Sequence, residues 1–324
     1  MQAITVQQTL HRRRAAHRLY SFLSNQPPSW YGLGVLLLVA WATRPALLSP
    51  LLLLAILKQG AILGVVTIGQ SLVVRSRSID LSISGVVVVV IWIVTSGAIP
   101  LSVLALVFLA LLAGALIGAI NGLIITRLRA SAVIVTLAMA IVLTGAVIAA
   151  SQYHQPGETP DLLQIVGSGR IGSFPIAAIV WVAVLVPFAI ALRMCVFGRY
   201  LDAVGSNPTA AVVSGIPSLR VMLITHIFSG LTAALAALLL VGSVSVGNTN
   251  IGQDLVLNSL AAVILGGVSF GSGKGRMLGP AVGAFMLTYL FSLLIGFGLG
   301  AAGQAMVQGA IIALAALVFT FRNR

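Results

Sequence analysis

Ten apolar runs follow one another along this chain, at about 31–48, 51–74, 80–98, 101–126, 131–150, 174–194, 221–242, 255–270, 278–298 and 303–321. Most approach or exceed the roughly 18 residues that a helix needs to cross a bilayer. Because a bilayer core offers no water to backbone N–H and C=O groups, such runs have to be helical. Charge agrees with that reading. Only 7% of the 324 residues are charged and 59% are hydrophobic, whereas a water-soluble domain carries about 25% charged residues. The expected fold class is all-α, a polytopic helical membrane protein of about ten spans. The sixteen-residue eighth run is short, which fits a re-entrant or broken helix.

The formal charge is +13. On a soluble protein that excess would suggest nucleic acid, but here no basic residues alternate with aromatics on a polar face. Basic residues between spans instead set orientation by staying in the cytoplasm. With the basic tail 1–30 inside, the inside junctions carry Arg75, Arg77, Arg127, Arg129, Arg193, Arg199, Arg220, Lys274, Arg276, Arg322 and Arg324, while Glu158 and Asp161 lie in the longest outside loop. Arg44 and Arg170 are the exceptions. Both termini and the segment 198–218 are therefore expected in the cytoplasm, with Ser168 outside and Ser206 and Ser272 inside. Residues 31–324 read as one membrane domain. Five spans in each half would invert the second half relative to the first, as in many transporters.

Catalytic chemistry finds little support. Cys195 is the only cysteine, so no internal disulfide forms, and no metal-ligand spacing occurs. The five acidic residues provide neither a carboxylate pair nor a serine–histidine–acid set. The glycine-rich "ILGGVSFGSGKGRMLGP" at 264–280 fails as a phosphate loop. Counted from Gly266, Ser272 falls where lysine is required; counted from Gly267, Ser272 falls where glycine is required. No cofactor or nucleotide is expected on this chain.

Ionisable groups inside a membrane are functional candidates by default. They are Lys58, Asp80, His226 and Asp254. Lys58 can snorkel outward, Asp254 lies at a loop edge, and His226, one turn into a span, is interfacial or hydrogen-bonded to a neighbour. Asp80 lies in "RSRSIDLSISG" (75–85), which interrupts two apolar runs. It can cap the helix that follows, line a pathway, or do both. Gln70, Asp80, Ser82, Trp92, Asn121 and Thr136 are the candidate lining residues for an uncharged polar solute; hydrogen bonding within the core is the competing reading for each.

One stretch reads differently from its surroundings. In "GRYLDAVGSNPTAAVVSGIPS" (198–218), Asn207 is a good N-cap, Pro208 suits the first helical position and Gly215 can terminate on the left-handed side. An interfacial helix would need large apolar residues and basic ones. This short helix of small residues suits a protein groove better.

Four segments carry a family resemblance: "IDLSIS" (79–84), "GAINGLIITRLRASAVIVTLAM" (118–139), "GRYLDAVGSNPTAAVVSGI" (198–216) and "AAVILGGVSFGSGKGRMLGPAVGA" (261–284). Their order and spacing resemble the membrane subunit of bacterial ATP-binding-cassette importers for monosaccharides, of the ribose/xylose/galactose type, more distantly similar to branched-chain amino-acid permeases. The resemblance implies a permease subunit in the bacterial cytoplasmic membrane. It would work with a separate ATPase that consumes ATP, an extracytoplasmic sugar-binding protein and a second permease chain, identical or paralogous. It also implies ATPase coupling through Gly198, Arg199, Gly205, Asn207, Ala210, Ala211, Gly215 and Ile216. Departures are Pro208, Thr209, Val212 and Val213, where an acidic and a basic residue are usual, and Arg77 and Ser78, where glycines are usual. An ion-coupled secondary transporter, or a permease for an amino acid, is the competing expectation.

Overall fold

A computed structural model describes residues 26–322, apart from 245, 249, 250, 269, 272 and 274. The basic tail up to residue 25, Ser272 and Lys274 therefore lie outside the described residues. The helices are α1 (Pro28–Thr43), α2 (Pro50–Arg75), α3 (Ile83–Thr95), α4 (Val103–Arg127), α5 (Ala132–Ser151), α6 (Asp161–Ser168), α7 (Ile176–Met194), α8 (Val196–Ser206), α9 (Pro208–Val213), α10 (Ser218–Val244), α11 (Leu255–Leu265), α12 (Leu278–Gly296) and α13 (Ala301–Arg322). One two-residue hairpin, Arg170–Ile171 with Phe174–Pro175, follows α6.

Among the described residues, α2, α4, α5, α7, α10 and α12 are long and apolar enough to cross a membrane. Two apolar runs that read as spans are broken instead. Helix α3 has 13 residues and α11 has 11. At 1.5 Å per residue these reach about 20 Å and 16 Å, short of the roughly 30 Å hydrocarbon core. The remaining depth is irregular backbone, which membranes tolerate only inside protein or beside a wet cavity. The short eighth run is thus the 11-residue α11 followed by the glycine segment. The third run is shorter than expected, because 76–82 forms the break between α2 and α3.

Packing repeats between the halves in the order of the runs. Helix α2 packs against α12, and α10 against α4; α3 packs on α10, and α11 on α2; α3 meets α4 and α5, and α11 meets α12 and α13. Two other close pairings, α1 with α12 and α2 with α7, have no such counterpart.

The α4–α10 crossing is the tightest. Gly114, Gly118 and Gly122 recur every fourth residue, on one face of α4. A Cβ on Gly114 would strike the Gly230 carbonyl oxygen, one on Gly230 would strike the Gly114 carbonyl oxygen, and one on Gly118 would strike that of His226. Small residues at such spacing let two backbones touch in lipid, where packing rather than the hydrophobic effect holds helices together.

Candidate coupling element and translocation site

The ends of the bundle differ chemically. The α2–α3 break, the α4–α5 turn, α8–α9 and the α11–α12 segment share one end, which carries Arg75, Arg77, Arg127, Arg129, Arg193, Arg199, Arg220 and Arg276. At the other end, Gly157 donates to the Thr95 carbonyl and Glu158 bridges Val246, with Asp161 in α6 nearby.

At the basic end lies the segment singled out in the sequence. Asn207 Oδ1 accepts from Ala210 N–H at 3.0 Å, Pro208 opens α9, and Gly215 turns at φ +78°. Local chemistry builds this helix as expected. The residues before it, 196–206, also form a helix, α8. Gly198 and Gly205 are buried in it because the Leu192 and Arg75 carbonyls leave no room for a Cβ. Of the eight coupling candidates, Arg199, Asn207, Ala210 and Gly215 are exposed and Ile216 is half-buried. Ala211 points the other way. It is 3% exposed and joins the main hydrophobic core. The side chains α9 offers outward are Thr209, Ala210, Val212 and Val213, the last 85% exposed.

The α2–α3 break holds a buried polar cluster. Ser82 donates both N–H and hydroxyl to Asp80 Oδ1, at 2.9 and 2.6 Å, and its oxygen accepts from Asn121 Nδ2 at 2.8 Å. Thr136 Oγ1 accepts from Leu81 N–H at 3.0 Å, and Ser78 Oγ lies 2.8 Å from His226 Nε2. Asp80 thus organises the first turn of α3, while Ser82 ties the break to α4, the Leu81 N–H to α5 and Ser78 to α10. Gln70, Asp80, Ser82, Asn121 and Thr136 are all fully buried; Gln70 has no partner for its amide among the described residues. Trp92 is partly exposed and donates from Nε1 to the His154 carbonyl. Lys58 is half-buried in α2, and Asp254 sits where α11 begins, without capping it through its side chain.

Asp80→Ala leaves the Ser82 N–H and hydroxyl without their buried acceptor, at about 1–3 kcal/mol for an orphaned group. The expected result is a fall of several degrees in the melting temperature of the detergent-solubilised protein, with Asp80→Asn, which keeps an acceptor oxygen, closer to wild type. Equal melting for Asp80→Ala and wild type would contradict this role.

A groove of about 610 Å³ runs between α3, α5 and α11. Its wall includes Leu81, Ser84, Leu137, Thr144, Gln253 and Val256, and among the described residues it has no charged side chain. Ser84, Thr144 and Gln253 are the polar groups the sequence reading missed. Nothing local marks them, because only the short α3 and α11 bring them beside α5.

Among the described residues, six helices long and apolar enough to cross a membrane and three shorter apolar ones, two of which wall the groove, define a multi-pass membrane protein. The chain belongs to the family described as branched-chain amino acid transport system / permease component, which matches residues 52–317. It is 31% identical to a ribose import permease protein of Bacillus subtilis (strain 168) over 323 residues, covering 97% of this chain and 96% of the relative. An Escherichia coli (strain K12) ribose import permease protein is 33% identical across 81% of this chain and 84% of its own. An L-arabinose ABC transporter permease protein of Azospirillum brasilense is 28% identical, across 90% and 88%. No solved structure matches the chain. The chain is therefore a permease subunit, a transport component rather than an enzyme.

Proposed function

We propose that this chain forms the membrane pathway for a monosaccharide, a pentose or hexose, in a binding-protein-dependent ATP-binding-cassette importer of the bacterial cytoplasmic membrane. The carrying observation is the uncharged groove. A sugar needs hydroxyl and amide partners set among apolar walls, and such a groove supplies them. Ser84, Thr144 and Gln253 among leucines and valines fit that description. Near-complete alignment with relatives named for ribose import supports the same choice over the amino acids in the family's description.

In this reading Asp80, Ser82, Asn121 and Thr136 hold the start of α3 rigid behind the wall, and Gln70 and Trp92 support the same body. A second permease chain closes the open side of the groove, along the exposed face of α5 where Ile141 and Ile148 line it. The basic end faces the cytoplasm, both termini lie there, and α9 docks into a groove of a separate ATPase that binds and hydrolyses ATP. An extracytoplasmic sugar-binding protein delivers substrate to the opposite end.

Orientation is tested with single cysteines in a Cys195→Ser background, since Cys195 is exposed. Tyr153→Cys is expected to react with an impermeant thiol reagent in intact cells, and Ser214→Cys only after permeabilisation. Reaction of Ser214→Cys from outside would reverse the bundle. The solute is tested by calorimetry on the cognate binding protein with D-ribose, L-arabinose, D-fructose and branched-chain amino acids. Binding of a sugar is expected; binding of an amino acid alone would overturn the assignment.

A further inference from the structure

Two arginines at the end of α2 tie together segments that are far apart in sequence. Arg75 is buried, forms an ion pair with Asp202 of α8, and directs Nε toward the Gly273 carbonyl at 3.4 Å. Arg77 donates from Nε to the Gly205 carbonyl at 2.7 Å. Its Nη2 donates to the Ser206 carbonyl at 3.0 Å and the Gly271 carbonyl at 2.9 Å. Gly205 and Ser206 close α8, where carbonyls lack helical partners and the dipole favours a cation. Asn207, the next residue, caps α9. Gly271 and Gly273 belong to the segment between α11 and α12, and Asp80 at the start of α3 lies three residues beyond Arg77.

Arg77 does this from a backbone at φ +65°, a left-handed conformation that L side chains avoid and glycine adopts freely. A strained non-glycine residue persists only where its surroundings hold it in place. Here three carbonyls from two separate segments hold it. The interfaces are closely packed as well, since a Cβ on Gly205 would meet the Arg75 carbonyl and one on Gly273 the Asp202 carbonyl.

We propose that Arg75 and Arg77 are positioning residues forming a clamp. The clamp makes the α8–α9 coupling element move as one body with the basic-end termini of both short helices, α3 and α11. Those are the helices that wall the groove with α5. A displacement of α9 by the ATPase is thereby delivered to both moving walls at once, through a planar guanidinium whose fork spans carbonyls on two segments. The inference rests on the reading that α9 is the ATPase docking element.

The test uses the purified permease–ATPase complex in nanodiscs, carrying Cys195→Ser and Ser84→Cys, with the rate of Ser84→Cys alkylation read with and without a non-hydrolysable ATP analogue. With Arg77 present, the analogue is expected to change that rate severalfold. Arg77→Gly keeps the left-handed backbone without strain, and Arg77→Asn, a residue tolerated there, is a second variant without the reach. In both, the ATPase is expected to co-purify at the usual stoichiometry while alkylation becomes insensitive to nucleotide. Analogue sensitivity retained in either variant would overturn the clamp, as would no response with Arg77 present. Loss of the ATPase from the variants would also overturn it, by moving Arg77 from relay to docking. An ATPase that never associates with the unaltered chain would sink the docking reading instead.

Discussion

Val213→Arg is expected to strip the ATPase from the permease and to bring uptake to background, with membrane insertion and protein level unchanged. Val213 is the most exposed apolar residue of the coupling segment, on a helix outside the transmembrane core. If α9 sits in a partner groove, the new guanidinium is buried there without a counter-charge. An unpaired buried charge costs about 3–5 kcal/mol, which at about 1.4 kcal/mol per tenfold is a loss of more than a hundredfold in binding. Pull-down of the ATPase beside uptake in cells reads both consequences. Ala211→Arg is the instructive contrast. Its side chain would enter the permease's own core, so that variant is expected to lose protein level as well as docking. If Val213→Arg leaves pull-down and uptake untouched, α9 is a lipid-surface helix.

Gly230→Leu should yield no folded protein at all. Inserting atoms into a packed core costs about 1–3 kcal/mol even where neighbouring side chains can shift. Here the obstacle is the Gly114 carbonyl of α4, and backbone cannot step aside without parting the helices. The α4–α10 crossing also supports Asn121 and His226, so the polar cluster behind α3 would be lost with it. The measurement is size-exclusion chromatography in detergent, where a monodisperse peak is expected to vanish. Leu104→Ala, on the exposed face of α4, is expected to keep the peak. A monodisperse, wild-type-like Gly230→Leu protein would contradict the crossing.

What was legible in the sequence is what local chemistry decides. Apolar runs mark helices because lipid leaves the backbone no alternative, and the charge between them sorts the two ends. The cap of α9 was legible because Asn207, Pro208 and Gly215 act within one another's reach. The rest depends on contacts between distant segments. Gly198 and Gly205 lie inside α8, where neighbouring carbonyls exclude a Cβ. The inward turn of Ala211 could not be foreseen, since six residues of small and apolar type carry no face-defining periodicity. Arg75 and Arg77 fit the charge rule so well that their second role was hidden. That role exists only through Asp202, Gly205, Ser206 and Gly271, more than a hundred residues away. The polar cluster is an intermediate case. Asp80 was read as a cap and does organise the first turn of α3, but the partners that bury it come from α4 and the neighbouring helices.

The most direct measurement is reconstitution. The permease is placed in liposomes with its ATPase, its binding protein is added outside, and the sugar that binding protein holds is supplied as tracer. Accumulation is expected only when ATP is inside and both partners are present, and it is expected to vanish with Val213→Arg. Accumulation driven by a proton or sodium gradient, with the permease alone and no ATP, would contradict the proposed importer.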